Sequence, residues 1–187
     1  MKTKLAFFLI ISSIYLPSMA QNESDSFLNR FVEINQFPTS EFFFKNEIII
    51  KDDTISVDII SNVFLMPLNT IRYSDKYLKN QYYYYGKYKL SDRYYIISCK
   101  IFYDYHLSKI ISFIYDKEKG IVLSSIEIMS SDFNLSRKSR FENNVLIIEN
   151  TYKRIPNGLD PPPGKEFLKK VEIVRFKINS EYKFVKI

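Results

Sequence analysis

The side chains best suited to nucleophilic chemistry are scarce in this chain. It contains one cysteine, Cys99, and one histidine, His106. A thiol beside an imidazole can act as nucleophile and base, but seven residues of extended chain separate the two by about 23 Å. Cys99 also alternates with Tyr95, Ile97 and Ile101, and this pattern predicts a buried, unreactive thiol. We therefore predict no catalytic role for the cysteine.

Two glutamates are the best candidates for acid–base catalysis. Burial raises the pKa of a carboxyl group and can suit it to work as a general acid. Glu127 and Glu149 each lie within an otherwise apolar run, where such burial is possible. The alternative is that each glutamate faces solvent or a cationic partner. A small carboxylate-dependent hydrolase is the third of the functions that the sequence leaves open.

The composition excludes most metal and nucleotide sites. One His and one Cys do not supply the usual nitrogen and sulfur ligands of zinc. The four glycines, Gly86, Gly120, Gly158 and Gly164, are too far apart in the sequence for a phosphate-binding loop. We expect no cofactor. The formal net charge of +6 is mild for 187 residues, so we expect no nucleic-acid partner either.

A group of basic residues lies in the polar stretch 130–140, which the sequence predicts to be a connection between strands. Arg137, Lys138 and Arg140 are close together there. They could bind an anionic sugar, a phosphate or a lipid head group. A solvated loop without a ligand is the simpler interpretation.

The N-terminus has the three parts of a secretory signal peptide. Residues 1–4 are basic, residues 5–16 are mostly apolar, and Ser18 and Ala20 place small side chains before a cut. The apolar run is shorter than the roughly 20 residues that a membrane-spanning helix needs. We predict cleavage between Ala20 and Gln21, a periplasmic or secreted protein, and no transmembrane segment after cleavage.

Residues 21–187 are expected to form a single β-rich domain that begins with one or two short helices. Ser24 to Ser26 offer an N-cap, and the apolar residues that follow have helical spacing, which predicts a helix over 25–34. The apolar stretch 42–50 predicts one or two strands. Residues 53–65 fit both a strand and a helix, and we favour the helix because its pattern covers the longer window.

Strands dominate the rest of the chain. Apolar runs of strand length alternate there with short polar turns. This spacing predicts an antiparallel meander of about seven or eight strands, closed into a barrel or folded into a sandwich. Gly120 suits the hairpin loop over 116–120, because such loops need a residue with positive φ. The predicted strands are 82–90, 93–103, 108–115, 121–129, 145–154, 165–178 and 182–187.

Some of these strands are apolar on both faces. In 108–115, Ile110 and Ile114 point one way, whereas Ile111, Phe113 and Tyr115 point the other way. A strand that is buried on both sides needs two covering layers, and the N-terminal helices are available as one of them. The predicted fold class is therefore β-rich α+β.

The two strands around Ser91-Asp92 predict a binding face. If Leu90 lies opposite Arg93, Tyr84 pairs with Cys99 in an apolar set that belongs inside. The alternate set is aromatic and cationic, and it should face outward because several lysines cannot be buried without partners. This outward set contains Tyr83, Tyr85, Lys87, Tyr94 and Lys100. The alternative is a tyrosine-rich surface that only solubilises the sheet or packs under the helix.

These observations favour an exported, non-enzymatic binding module that uses this aromatic and cationic face. Tyrosine offers a large contact area at low entropic cost, so the ligand is expected to be a sugar, a peptide or a protein. The alternative from another class is an inhibitor or immunity-type protein that acts on a partner protein outside the cytoplasm.

Overall fold

The computed structural model describes residues 24–46, 54–56, 59–60, 63–64, 81–104, 107–131, 135–154 and 168–187. The predicted signal peptide (residues 1–20), its cleavage site before Gln21 and His106 lie outside the described residues.

Nine strands in the described residues form one sheet, and they follow one another in chain order. β1 runs parallel to β2, and every other neighbouring pair is antiparallel. The β-rich α+β meander is therefore confirmed. The strands are β1 (Val32–Glu33), β2 (Gln81–Lys89), β3 (Tyr94–Asp104), β4 (Leu107–Asp116), β5 (Ile121–Ser131), β6 (Leu135–Glu142), β7 (Val145–Arg154), β8 (Leu168–Ile178) and β9 (Phe184–Lys186).

The sequence located seven of these strands, with small differences at their ends. The prediction of a connection over 130–140 was wrong for β6, which has a polar sequence but pairs along its whole length with β7. Asn143 and Asn144 form the two-residue turn between these strands, with φ of 51° and 61°. Asparagine tolerates this left-handed conformation. Gly120 has φ of 67° in the β4–β5 turn, as predicted.

Two short helices precede the continuous part of the sheet. Residues 24–28 form α1, so the prediction of a helix to residue 34 was wrong beyond residue 28. The chain turns sharply there, because Arg30 N–H bonds to Phe27 O and Phe31 N–H bonds to Leu28 O. It then enters β1, and Ile34 N–H donates to Lys87 O of β2 at 2.9 Å.

The second helix, α2 (Ser40–Lys45), replaces the beginning of the strand predicted over 42–50. Thr39 caps it by accepting a hydrogen bond from Phe42 N–H at 3.1 Å. Glu41 and Lys45 form an i,i+4 ion pair at 2.7 Å. These local interactions outweigh the strand preference of the phenylalanines. Residues 47–50 lie outside the described residues.

The ambiguous stretch 53–65 contains a helical part and a bridge to β2. Thr54 forms an isolated bridge with Tyr83, and Ile55 N–H donates to Tyr82 O at 2.8 Å. Residues 59–60 are helical. The favoured helix is thus present at residues 59–60, whereas Thr54 and Ile55 form only an isolated bridge to β2 and no strand.

The strands β2 to β4 are buried on both faces, as the sequence predicts for β4. On one face, the first core is covered by the N-terminal residues Leu28 and Phe31 and by the segments around Ile55, Ile60 and Phe64. These side chains pack on alternate residues of β2 to β4. The sheet residues of this core are Tyr82, Tyr84, Ile97, Cys99, Ile101, Ile111, Phe113 and Tyr115.

The second core lies on the opposite face and is closed by the other half of the same sheet. β5 and β6 pair only at Ser130↔Arg137 and Ser131↔Ser136, and the sheet folds back at this weak junction. Leu146 of β7 therefore joins one cluster with Ile114 of β4. The sheet is folded like a sandwich but not closed into the barrel that the sequence also allowed.

Candidate functional site

The predicted binding face on β2 and β3 is interrupted by a β-bulge. The register is as predicted at Tyr83↔Lys100 and Tyr84↔Cys99, but it shifts by one residue before Gly86↔Ser98. The bulge turns both Tyr85 and Gly86 toward the second core. A Cβ atom at Gly86 would lie 3.3 Å from Ile34 Cδ1, so the absence of a side chain there lets the N-terminal segment pack closely.

Tyr85 is therefore a core residue, and its predicted outward orientation was wrong. Only 5% of it is exposed, and its ring stacks on Phe43 of α2 at 4.4 Å between centroids. Burial raises the pKa of its hydroxyl. The alternative that these tyrosines pack under a helix is therefore correct for Tyr85, but the helix is α2, which lies where the sequence predicts the start of a strand.

The remaining residues of the predicted face are divided among three places. Tyr83 lies edge-on to Phe102, with 5.6 Å between centroids, and Lys100 Nζ lies 4.9 Å from the same ring. Burial lowers the pKa of Lys100. Tyr94, at the other end of β3, stacks on Tyr182 at 3.7 Å. These residues are partly buried and do not form one continuous surface.

Lys87 was also predicted to belong to this face, and it lies on the other side of the sheet. The bulge brings it opposite Ile97, a residue of the first core. Of the five predicted residues, Tyr83, Tyr85 and Lys100 are thus neighbours, with Lys100 opposite Tyr83 and its Nζ 5.6 Å from the centroid of the Tyr85 ring, whereas Tyr94 and Lys87 lie elsewhere.

The basic cluster on β6 is split between two faces. Arg137 points into the fold, where its Nε donates to Asn150 Oδ1 at 2.7 Å and its Nη1 contacts Glu127 Oε1 at 2.9 Å. Lys138 and Arg140 lie beside α2 instead. Because side chains alternate along a strand, a cluster predicted for a loop is separated once that segment is a strand.

The two candidate catalytic carboxylates are also separated. Glu127 binds Arg137 and lies 3.9 Å from Lys109 Nζ. Glu149 is the next residue before Asn150, so it points to the opposite face of β7. This placement does not provide the pair of facing carboxylates that glycoside hydrolysis requires.

A groove of about 460 Å³ lies between α2 and the strands β6 and β7, and we refer to it as the α2 groove. Its volume is in the range of small-molecule and peptide side-chain sites. It forms because β6 leaves β5 after two residue pairs and bonds to α2 instead: Ser139 N–H donates to Ser40 Oγ, and Ser40 N–H donates to Ser139 Oγ at 2.8 Å. The lining residues are Ser40, Glu41, Phe44, Lys45, Lys138, Ser139, Arg140, Ile147 and Glu149.

The α2 groove combines apolar surface with a cationic rim. Phe44 is 70% exposed at its edge, and Ile147 is nearly buried in its wall. Lys45 is paired with Glu41, and its ammonium group lowers the pKa of that carboxyl. Lys138 is exposed, and no other described residue forms an ion pair with it. Lys138 is therefore the cation best able to meet an anionic ligand.

Arg140 is the third cation at this rim, and it is already paired. Its Nε donates to Glu142 Oε1 at 2.8 Å. The sequence had found Lys138 and Arg140 but missed Phe44, Lys45 and Ile147. The signal for Phe44 and Lys45 is the helix start at Thr39, followed by the Glu41 and Lys45 spacing, whereas no local pattern indicates that Ile147 lies beside α2.

The α2 groove adjoins the outer face of β6–β9, which is the face turned away from the second core. Four of the six exposed large apolar residues of the described chain lie on it. Arg175 and Lys177 lie on the same face, so these exposed apolar side chains are interspersed with charged ones. The four residues are Val171, Ile173, Val185 and Ile187.

The described residues contain no group of three or more His, Cys, Asp or Glu arranged to hold a metal ion. Among them, no helix is both long and apolar enough to cross a membrane. Comparison of the chain with known protein families, with curated proteins and with solved structures finds no match.

Proposed function

We propose that this is an exported, non-catalytic binding protein and that its ligand is an acidic peptide segment of a partner protein, held in the α2 groove. The proposal keeps the binding function that the sequence favours and moves the site from the β2–β3 face to the groove. The observation that carries it is the exposed Phe44 beside the exposed, unpaired charge of Lys138.

Phe44 is the anchor in this proposal. A phenylalanine that is 70% exposed on a six-residue helix contributes little to the core. Its neighbour Phe43 already supplies the packing of α2 against the sheet. Aromatic residues at the centre of an interface commonly contribute most of its binding energy, and Ile147 would pack against the same apolar group of the ligand.

The charge of the groove favours an acidic ligand, because its lining has three cationic residues and two acidic ones. Glu41 and Arg140 are each in an ion pair within the protein, whereas Lys138 forms no ion pair with another described residue, although Glu149 lies opposite it in the β6–β7 ladder. A ligand carboxylate at Lys138 would form a charge-assisted contact without breaking an existing ion pair. The groove is open along its side, which suits an extended peptide better than an enclosed acyl chain.

Fluorescence anisotropy with labelled dodecapeptides tests this proposal. One set alternates Glu with Leu or Phe, and the matched set has Lys in place of Glu. We expect the Glu peptides to bind and the Lys peptides not to bind. Phe44→Ala and Lys138→Glu should each weaken binding by about tenfold or more.

Lys119→Glu is the matched charge control, because Lys119 is exposed in the β4–β5 turn and does not line the groove. It should leave peptide affinity nearly unchanged. If Phe44→Ala and Lys138→Glu bind the Glu peptides as tightly as the unaltered protein, the groove is not the site. If only the Lys peptides bind, the proposed charge of the ligand is wrong.

A further inference from the structure

Among the described residues, the outer edge of β8 is unpaired along most of its length. β9 pairs only with Phe176, Lys177 and Ile178 of β8, and Ile187 N–H extends this pairing to Arg175 O at 3.0 Å. In the part of the chain that the structure describes, no strand lies beside residues 168–174 on that side. Seven residues of this eleven-residue strand therefore have no described strand beside them on that side.

The backbone groups at this edge can be assigned. In an antiparallel ladder, the N–H and C=O of one residue point to the same side, and successive residues alternate. Since Arg175 O accepts from Ile187, the polar groups of Ile173, Val171 and Lys169 also point to the open edge. These groups receive no hydrogen bond from another described residue.

The opposite edge of the sheet is covered. β1 pairs with Gly86 and Lys87 of β2, and Thr54 and Ile55 bond farther along the same strand, at Tyr83 and Tyr82. Proteins cover or blunt sheet edges because an unpaired edge is a template for another strand. The open edge of β8 therefore distinguishes the two ends of this sheet.

We propose that the open edge of β8 pairs with the same edge of a second copy of this chain. The two strands would run antiparallel about a two-fold axis at Val171, as in an isologous dimer interface. Val171 would then face Val171 of the second copy as a hydrogen-bonded pair. Lys169 and Ile173 would form the next hydrogen-bonded pairs on either side.

The charges of β8 select this register. Only registers that bring residues 169, 171 and 173 opposite one another satisfy the open backbone groups. An axis at residue 170 would oppose Lys170 to its own copy, and an axis at residue 172 would oppose Glu172 to its own copy. The axis at Val171 instead places Lys170 opposite Glu172 twice, and opposite charges in cross-strand pairs are stabilising.

The apolar side chains of the edge support the same pairing. Val171 is 55% exposed and Ile173 is 47% exposed, although both lie in a regular strand. In the proposed dimer, Val171 would pack against its own copy across the axis. This interface leaves the α2 groove open, so the inference is independent of the proposed function.

Charge-reversal variants test the register. Sedimentation velocity over a series of protein concentrations measures the dimer dissociation constant. The unaltered protein should form a dimer. Lys170→Glu places like charges opposite each other twice and should raise the dimer dissociation constant by about tenfold or more. Adding Glu172→Lys to it should restore dimerisation, because the opposed charges are again opposite in sign.

Val171→Pro tests the strand pairing itself. The proline removes an N–H that points to the open edge, so the monomer loses no internal hydrogen bond, and its circular dichroism should be unchanged. Dimerisation should be abolished, whereas Val171→Thr should retain it. A protein that is monomeric throughout the series would overturn the proposal. So would a dimer that both Val171→Pro and Lys170→Glu leave intact.

Discussion

Arg93 holds both carboxylate oxygens of Asp116. Its Nε donates to Oδ1 at 3.0 Å, and its Nη2 donates to Oδ2 at 2.7 Å. Asp116 is almost completely buried, and its Oδ1 also accepts from Glu118 N–H and Lys119 N–H. Since Arg93 precedes β3 and Asp116 ends β4, this ion pair fixes the β2–β3 connection against the β4–β5 turn.

We expect Asp116→Asn to reduce the free energy of unfolding by about 2 kcal/mol. The substitution removes one charge of a buried, bidentate pair and weakens the acceptor for the turn N–H groups. Urea denaturation measures this loss. Glu142→Gln is the control, because its ion pair with Arg140 is exposed and contributes little. Equal effects of the two substitutions would contradict the importance of the buried pair.

The same ion pair predicts a dependence on pH. Burial opposes the ionisation of Asp116, but Arg93 and the N–H groups of Lys119 and Glu118 outweigh it, so its pKa lies below the ordinary value. A lowered folded-state pKa stabilises the fold above the unfolded pKa of about 3.9, and this contribution is lost as the pH falls through the folded value. The Tm should therefore fall more steeply below about pH 4 in the unaltered protein than in Asp116→Asn.

The sequence was sufficient to predict the strands that are buried on both faces. In β4, the two apolar sets that alternate along the strand lie in different cores: Ile110 and Ile114 in the second, Ile111 and Phe113 in the first. This part is predictable because burial of alternate residues is a local property of one strand.

The candidate site was harder to predict, because it depends on contacts between distant parts of the chain. Ser40 and Ser139 are 99 residues apart, and their mutual hydrogen bonds fix α2 at the edge of β6. Nothing near Ser139 in the sequence indicates this contact. The bulge at Tyr85 is similar, since only the packing of Ile34 and Phe43 over Gly86 accounts for it.

We expect Gly120→Ala to destabilise the β4–β5 hairpin by about 1 kcal/mol, because φ of 67° at this position is costly for a residue with a Cβ atom. Space is not the limitation, since a Cβ there would be 3.9 Å from the nearest heavy atom, Tyr115 Oη. Gly120→Asn should cost less, because asparagine tolerates this conformation. Thermal unfolding of the two variants distinguishes them, and an alanine variant as stable as the asparagine variant would contradict the argument.

Export predicts a mature chain that begins at Gln21. The basic start, the apolar run and the small residues at Ser18 and Ala20 predict cleavage at this position. Mass spectrometry of the N-terminal peptide, with protein taken from the producing cell, is the measurement. Replacing Ala20 with a bulky residue, as in Ala20→Phe, should block cleavage. An intact Met1 on protein recovered from the cytoplasm would contradict export.

Cys99 should react slowly with a thiol reagent in the folded protein and rapidly in denaturant. Only 1% of its surface is exposed, and burial raises the pKa of its thiol, so both access to the thiol and formation of the reactive thiolate are suppressed.

Cys99→Ala should reduce the free energy of unfolding by about 1–2 kcal/mol through the small cavity it leaves in the first core. It should leave peptide binding in the α2 groove unchanged, because Cys99 lies on the opposite face of the sheet from the second core and α2. Labelling as fast in the native state as in denaturant, or loss of peptide binding without loss of stability, would show that this thiol has a role beyond packing.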